Sequence, residues 1–207
     1  VISLLYASVI AVRQNDLKKL IAYSSIAHIG LMCAAIFTGT VPGMQGVMVQ
    51  MFNHGIIVAG LWLTVEVIET QYGTRKISEL GGLAQHAPVL ATLLMIMVLG
   101  NIALPLTSGF IGEFLMFSGL FQYNIIIGAV GLISIILSAI YSFNMVQNVF
   151  YGHTLPATQH ATDINRNAKY AMIILSLLIL FLGFYPQPLF QLVNDSVQTI
   201  LSNIQLF

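Results

Sequence analysis

Apolar stretches of about twenty residues, separated by short polar connections, follow one another along almost the whole of this chain. A helix rises 1.5 Å per residue, so about 20 apolar residues cross a hydrocarbon core roughly 30 Å thick. Of the 207 residues, 57% are hydrophobic and only 7% are charged, too few charges to cover a surface facing water. The sequence therefore predicts an all-α fold, a single polytopic transmembrane helix bundle over residues 1–207 embedded in a lipid bilayer. The formal net charge is zero, which gives no electrostatic footprint for a nucleic-acid partner. A single cysteine, Cys33, excludes an internal disulfide and a thiolate metal cluster, and reads as a small core residue.

Polar and Gly/Pro punctuation divides the chain into spans at about 1–12, 17–38, 44–68, 87–122, 124–150 and 169–193. The first is too short to cross a bilayer. It has neither an initiator Met nor the charged start and small-residue cleavage pattern of a signal peptide, so it reads as a span cut in the middle and the chain as a fragment. Residues 87–122 would make a helix ~54 Å long, and they contain Gly100, Pro105 and Gly109. A broken helix around Pro105 is the better reading. With these spans Arg13, Lys18, Lys19, Arg75, Lys76, Arg166 and Lys169 all fall at alternate connections. Because basic residues near span ends stay on the cytoplasmic side, loops 13–19, 69–86 and 151–168 are expected in the cytoplasm, with the C-terminus, carrying Asp195, facing outward.

The chemistry is expected where polar groups sit at membrane depth. Glu113 is the only charged residue between Glu79 and Asp163, and it follows the break. A charge at the bilayer centre costs at least ~2.5 kcal/mol, so it needs a polar partner, water or a proton. Pro105 supplies a polar setting, since it has no N–H for the carbonyl of Asn101, and broken helices recur where transporters bind ions. The plainer alternative is a carboxyl that ties helices together. His28 lies ~16 Å along its span and His54 at similar depth on the next. Imidazole titrates near neutral pH and can pass a proton between its two nitrogens, so the pair suits a relay, although a buried neutral histidine bonded to its own helix is the alternative for each. Ser24 and Ser25 sit one turn before His28, and Gln50 one turn before His54, as polar neighbours of a wet path.

Other polar residues carry less. Topology alone explains Lys18 and Lys19, although both are long enough to reach a buried path as uptake groups. Glu66 and Glu69 read as a solvated span end. Asn144, Gln147 and Asn148 polarise one end of the fifth span, as interhelical hydrogen bonds would. His86, His153 and His160 have no acidic or Cys partner at ligand spacing, so no metal site is expected.

The segment Arg13-Gln-Asn-Asp-Leu-Lys-Lys-Leu-Ile-Ala-Tyr-Ser-Ser-Ile-Ala-His-Ile-Gly30, with Met51-Phe-Asn-His-Gly55, Ala103-Leu-Pro-Leu-Thr-Ser-Gly-Phe-Ile-Gly-Glu-Phe114 and Gly183-Phe-Tyr-Pro-Gln-Pro188, resembles the antiporter-like subunits of NADH–quinone oxidoreductase, respiratory complex I. The likeness covers essentially the whole chain. Mrp-type antiporter and membrane-bound hydrogenase subunits are relatives. L-like and N-like members carry Lys at the late broken helix, so Glu113 favours the M type, subunit 4 of mitochondria. The resemblance implies fourteen helices in two inverted repeats, of which this chain would hold part of helix nine to helix fourteen. It further implies that Glu113 ends an outward proton half-channel and that His28 and His54 are relay residues. It implies an enzyme only at the level of the NADH:quinone oxidoreductase complex. No cofactor is expected in this chain, with NADH, flavin, iron–sulfur clusters and quinone held by other subunits. Partners would be neighbouring antiporter-like and other membrane subunits. A bacterial plasma membrane is favoured, with a mitochondrial inner membrane second. The competing functions are a cation/proton antiporter subunit, a haem protein using His28 and His54 as axial ligands, and a passive scaffold.

Overall fold

The computed structural model describes residues 1–158 and 162–204; His160 lies outside the described residues. Nine helices are found among them: α1 (Ile2–Val12), α2 (Leu17–Ile36), α3 (Val41–Tyr72), a single turn α4 (Leu83–His86), α5 (Pro88–Asn101), α6 (Ser108–Tyr123), α7 (Ile125–Phe150), α8 (Arg166–Phe184) and α9 (Gln187–Ile204). The described residues contain no β-strand.

Local chemistry sets the helix boundaries. The Asp16 carboxylate accepts the Lys19 N–H to start α2, Thr40 Oγ1 accepts the Gly43 N–H to start α3, and α3 stops at Gly73, whose φ of 68° is left-handed. Asn124 caps α7 by accepting the Ile126 and Ile127 N–H groups. With 32 residues α3 is ~48 Å long, well beyond the span read at 44–68, so its ends project past a ~30 Å hydrocarbon core. α2, α3, α7 and α8 are long and apolar enough to cross a membrane.

The main core lies between α2, α3, α5, α7 and α8, around Leu17, Ile57, Leu61, Leu90, Met97, Tyr141 and Phe150. A second cluster joins α1, α2, α3 and α6 through Leu4, Leu31, Val47, Met116 and Phe117. Away from both, α7 and α8 expose Ile133, Ile136, Ile174, Leu177 and Phe181, as the outer faces of a multi-pass membrane protein do.

α3 and α6 run antiparallel at very close range. A Cβ at Gly46 would lie 2.6 Å from the Met116 nitrogen, and one at Gly119 2.7 Å from the Gly43 Cα. Small residues let membrane helices approach backbone to backbone, which is how they attract one another when lipid offers no hydrophobic gain.

The break falls between α5 and α6. Ala103 (φ 55°) and Leu106 (φ 76°) flank Pro105 in the left-handed region, a strained conformation for residues with a Cβ. Gly183 of α8 and Gly109 of α6 have no side chain to hold the neighbours off. A Cβ at Gly183 would meet Leu106 O, and one at Gly109 would meet Gly100 O. The break is thus walled in from two sides, while Leu104 and Leu106 are exposed on the third.

The C-terminal region differs from the single span read at 169–193. α8 ends at Phe184, ahead of Pro186 and Pro188, and α9 restarts at Gln187, because Pro is tolerated in the first turn of a helix but not in its interior. α9 packs on the start of α3 through Val197 and Leu201 against Met44, and through Leu189 against Val49.

The loops that carry or adjoin the basic residues gather at one end. The Asn15 amide donates to Ser78 Oγ, Tyr72 Oη donates to the Thr162 carbonyl, and Asp163 accepts the Val89 and Leu90 N–H groups at the start of α5. Cys33, read as a core residue, is instead exposed.

Candidate proton-transfer site

Glu113 lies on the second turn of α6, just past the break, and only 5% of it is exposed. Its Oε1 is 3.1 Å from Nδ1 of His28, itself 6% exposed. At this separation a carboxyl and an imidazole stand within reach of proton exchange, which would interconvert an acid–imidazole and a carboxylate–imidazolium pair. The half-buried His54 ring stands 4.9 Å from the His28 ring, tilted by 47°. Thus His28, on α2, sits between Glu113 on α6 and His54 on α3. Its other nitrogen, Nε2, is buried with no hydrogen-bond partner among the described residues, a state that marks a site for water or a function. Two imidazoles in direct ring contact leave no room for a porphyrin between them, and Glu113 already occupies one nitrogen of His28. The haem reading does not fit.

Gln50 is buried one turn from His54, its Oε1 unpaired beside Gly112. Asn101, at the end of α5, donates from Nδ2 to Ser24 Oγ and to Ser142 Oγ, each at 3.3 Å. Ser24 also meets Tyr141 Oη at 2.9 Å. Ser25 is half-buried and takes part in none of these bonds. Pro105 shapes the break and is itself exposed.

The lysines belong to a different region. Lys18 lies ten residues, ~15 Å, from His28 along α2. Its Nζ pairs with Glu69 at 2.5 Å and lies 6.0 Å from the Trp62 ring centre. Lys19 is exposed. Arg75 bridges Asp16 at 2.7 Å and Glu69 at 3.4 Å, so Glu69 is a member of an ion network and not merely a solvated end. Glu66, Asn144, Gln147, Asn148, His86 and His153 are exposed.

Burial pushes the Asp16 carboxyl up, but the Lys19 N–H and the Arg75 guanidinium outweigh it and hold the group below the usual carboxylate value. A carboxyl lowered in the folded chain contributes stability above its unfolded pKa, and that contribution is lost as pH falls through the folded value. Arg75→Gln is thus expected to lower Tm slightly at pH 7, the pair being partly solvated. The difference from wild type, followed by thermal unfolding in detergent, should shrink below about pH 4.

Two sets of residues around the site were not singled out from the sequence. Asn53, next to His54, donates from Nδ2 to the Ser108 carbonyl at 2.8 Å and so ties α3 to the start of α6. On α7, Ser134, Ser138, Tyr141 and Ser142 are buried in a row. Their i, i+4, i+7, i+8 spacing on an otherwise apolar helix is a signal present in the sequence.

A family model for the transmembrane region of NADH:quinone oxidoreductase and Mrp antiporter subunits matches residues 1–140. The chain belongs to this family. It is 39% identical over 202 residues to NADH-quinone oxidoreductase subunit M of Rickettsia felis, covering 97% of this chain and 41% of that relative. The chain thus spans about two-fifths of the length of the curated relatives it matches. Among solved structures, respiratory complex I from Thermus thermophilus with bound NADH contains a chain that superposes with TM-score 0.90 at 30% identity, over 97% of this chain and 42% of that one. The Mrp complex from a Dietzia species gives TM-score 0.83 at 20% identity, over 94% and 45%, a likeness of fold. The overall fold of this family member is common to both.

Proposed function

We propose that this chain is the later part of an M-type, proton-translocating membrane subunit of NADH–quinone oxidoreductase, and that Glu113, His28 and His54 carry the proton. The observation that supports this most is the Glu113–His28 pair at 3.1 Å. A carboxyl and an imidazole stand within contact distance just past the break of a helix, with a second imidazole against the first. A lone carboxylate at that depth would cost at least ~2.5 kcal/mol. The imidazole lowers that cost and also provides somewhere for the proton to go, since it can take a proton at one nitrogen and release one at the other. The wall of the break, with Asn101, Gln50 and Ser24, supplies the polar lining that the route needs. Lys18 and Lys19, in this reading, serve at the basic end, where Lys18 is fixed by Glu69.

The basic end faces the cytoplasm and the C-terminus faces outward, following the distribution of basic residues. The membrane is the bacterial plasma membrane, by the likeness to bacterial subunit M proteins, with the mitochondrial inner membrane as the other setting. Residues 1–207 act as one transmembrane domain beside neighbouring antiporter-like subunits. The redox steps, with NADH, flavin, iron–sulfur clusters and quinone, take place in other subunits, and the chain receives its energy as rearranged charge and water. In vesicles holding the assembled complex, NADH-driven acidification is expected to run at the same rate in sodium-free buffer as with sodium present. A requirement for Na+ would make the chain a cation/proton antiporter subunit instead.

A further inference from the structure

A small cavity of about 10 Å³ lies between α1, α2, α6 and α7, lined by His28, Glu113, Ser8, Ser134, Ser138 and Tyr141 among others. That is the room one water needs, and the lining offers the two to four polar partners a buried water requires. Two of the hydroxyls are committed elsewhere. Ser8 donates to the Leu4 carbonyl at 2.8 Å and Ser134 to the Gly131 carbonyl at 2.7 Å, so both present only lone pairs to the cavity.

Ser138 is different, because it receives a bond and makes no such back-bond. The chain of donors begins at the Asn101 amide nitrogen, which can only donate and bonds Ser24 Oγ at 3.3 Å. Tyr141 Oη donates its single hydrogen to Ser138 Oγ at 3.1 Å. The 2.9 Å contact between Ser24 and Tyr141 must then have Ser24 as donor. Each hydroxyl accepts from the one before and donates to the next, and the Ser138 hydrogen is the one left over, at the wall of the cavity that Glu113 also lines.

We propose that Asn101, Ser24, Tyr141 and Ser138 form a hydrogen-bond chain of fixed direction that aims the Ser138 hydroxyl at a single-water site against Glu113, making Tyr141 a positioning residue for proton exchange at that carboxyl. This rests on Glu113 being the protonatable group of the proposed function. Asn101 anchors the direction and gives up no proton. The exchange itself is between the water and the carboxyl: an O–H bond of the water breaks as one forms on Glu113, or the reverse. The alternative role for the same bonds is glue between α2, α5 and α7.

The test uses the full-length subunit in the assembled, reconstituted complex. Tyr141→Phe keeps the ring in its packed place and removes only the hydroxyl, and Ser138→Ala removes the last member of the chain. Each is expected to lower proton pumping about fivefold, the effect of one hydrogen bond on a rate, with Tm unchanged. The double variant should lose no more than either single, because both cut one chain. The infrared band of the Glu113 carboxyl, assigned by its loss in Glu113→Gln, should move to higher wavenumber in both variants as its water partner is released. A lower Tm with pumping and band unchanged would make the hydroxyls glue and overturn the proposal. Additive losses with an unmoved band would do the same. If Glu113→Gln pumps normally, the proposed function fails first, and this inference with it; if Glu113→Gln is inactive while Tyr141→Phe and Ser138→Ala behave as wild type, only this inference fails.

Discussion

Gly46→Leu in the full-length subunit is expected to cost about 3 kcal/mol or more and to leave little of the subunit in the membrane. A Cβ at this position would lie 2.6 Å from the Met116 nitrogen, 2.8 Å from the Gly112 carbonyl oxygen and 2.9 Å from Leu115 Cβ. Two of these are backbone atoms of α6 that no rotamer change can move, so the whole helix must shift. α6 carries Glu113, and a displacement of an ångström would already break the 3.1 Å contact with His28. The stability and the site are therefore lost together. Gly131→Ala is the matched control. Its Cβ would meet only the Phe117 ring at 3.2 Å and Leu120 at 3.9 Å, side chains that can give, so it should accumulate normally. Immunoblots of membranes and thermal unfolding of the purified complex measure both. Normal levels and Tm for Gly46→Leu would show that α3 and α6 are not held by this close approach.

Much of this architecture is legible in the sequence, for a physical reason. In lipid every backbone group must be bonded within the helix, so apolar length translates almost directly into helices, and Pro105 into a break. Glu113, His28 and His54 stood out because polar groups at that depth are costly enough to be rare. That the three come into contact is a property of the packing, and no spacing along the chain gives it. Residues whose polarity is cheap were missed. A Ser can satisfy itself on its own helix, as Ser134 does, so the α7 stripe reads as filler until Tyr141 is seen to cross to Ser24. Lys18 and Glu69, like Asp16 and Arg75, look like separate span ends because α2 and α3 put more than fifty residues of chain between the partners. α9 escaped because it is amphipathic and not uniformly apolar, and two prolines near its start look like an ending.

Glu113→Gln bears on the central claim more directly than any other change. Glutamine has nearly the shape of glutamate and can still hydrogen-bond His28, but it cannot take up or release a proton. The helices should pack as before, and the complex should assemble. If the carboxyl is a working station, the His28 side of the route loses its acid–base partner, for which a fall of at least about tenfold is expected. Proton pumping and NADH oxidation should be followed together in vesicles of the assembled complex carrying this substitution. The account predicts that both fall while assembly is preserved; both running at wild-type rates would contradict it and reduce Glu113 to a tie between helices.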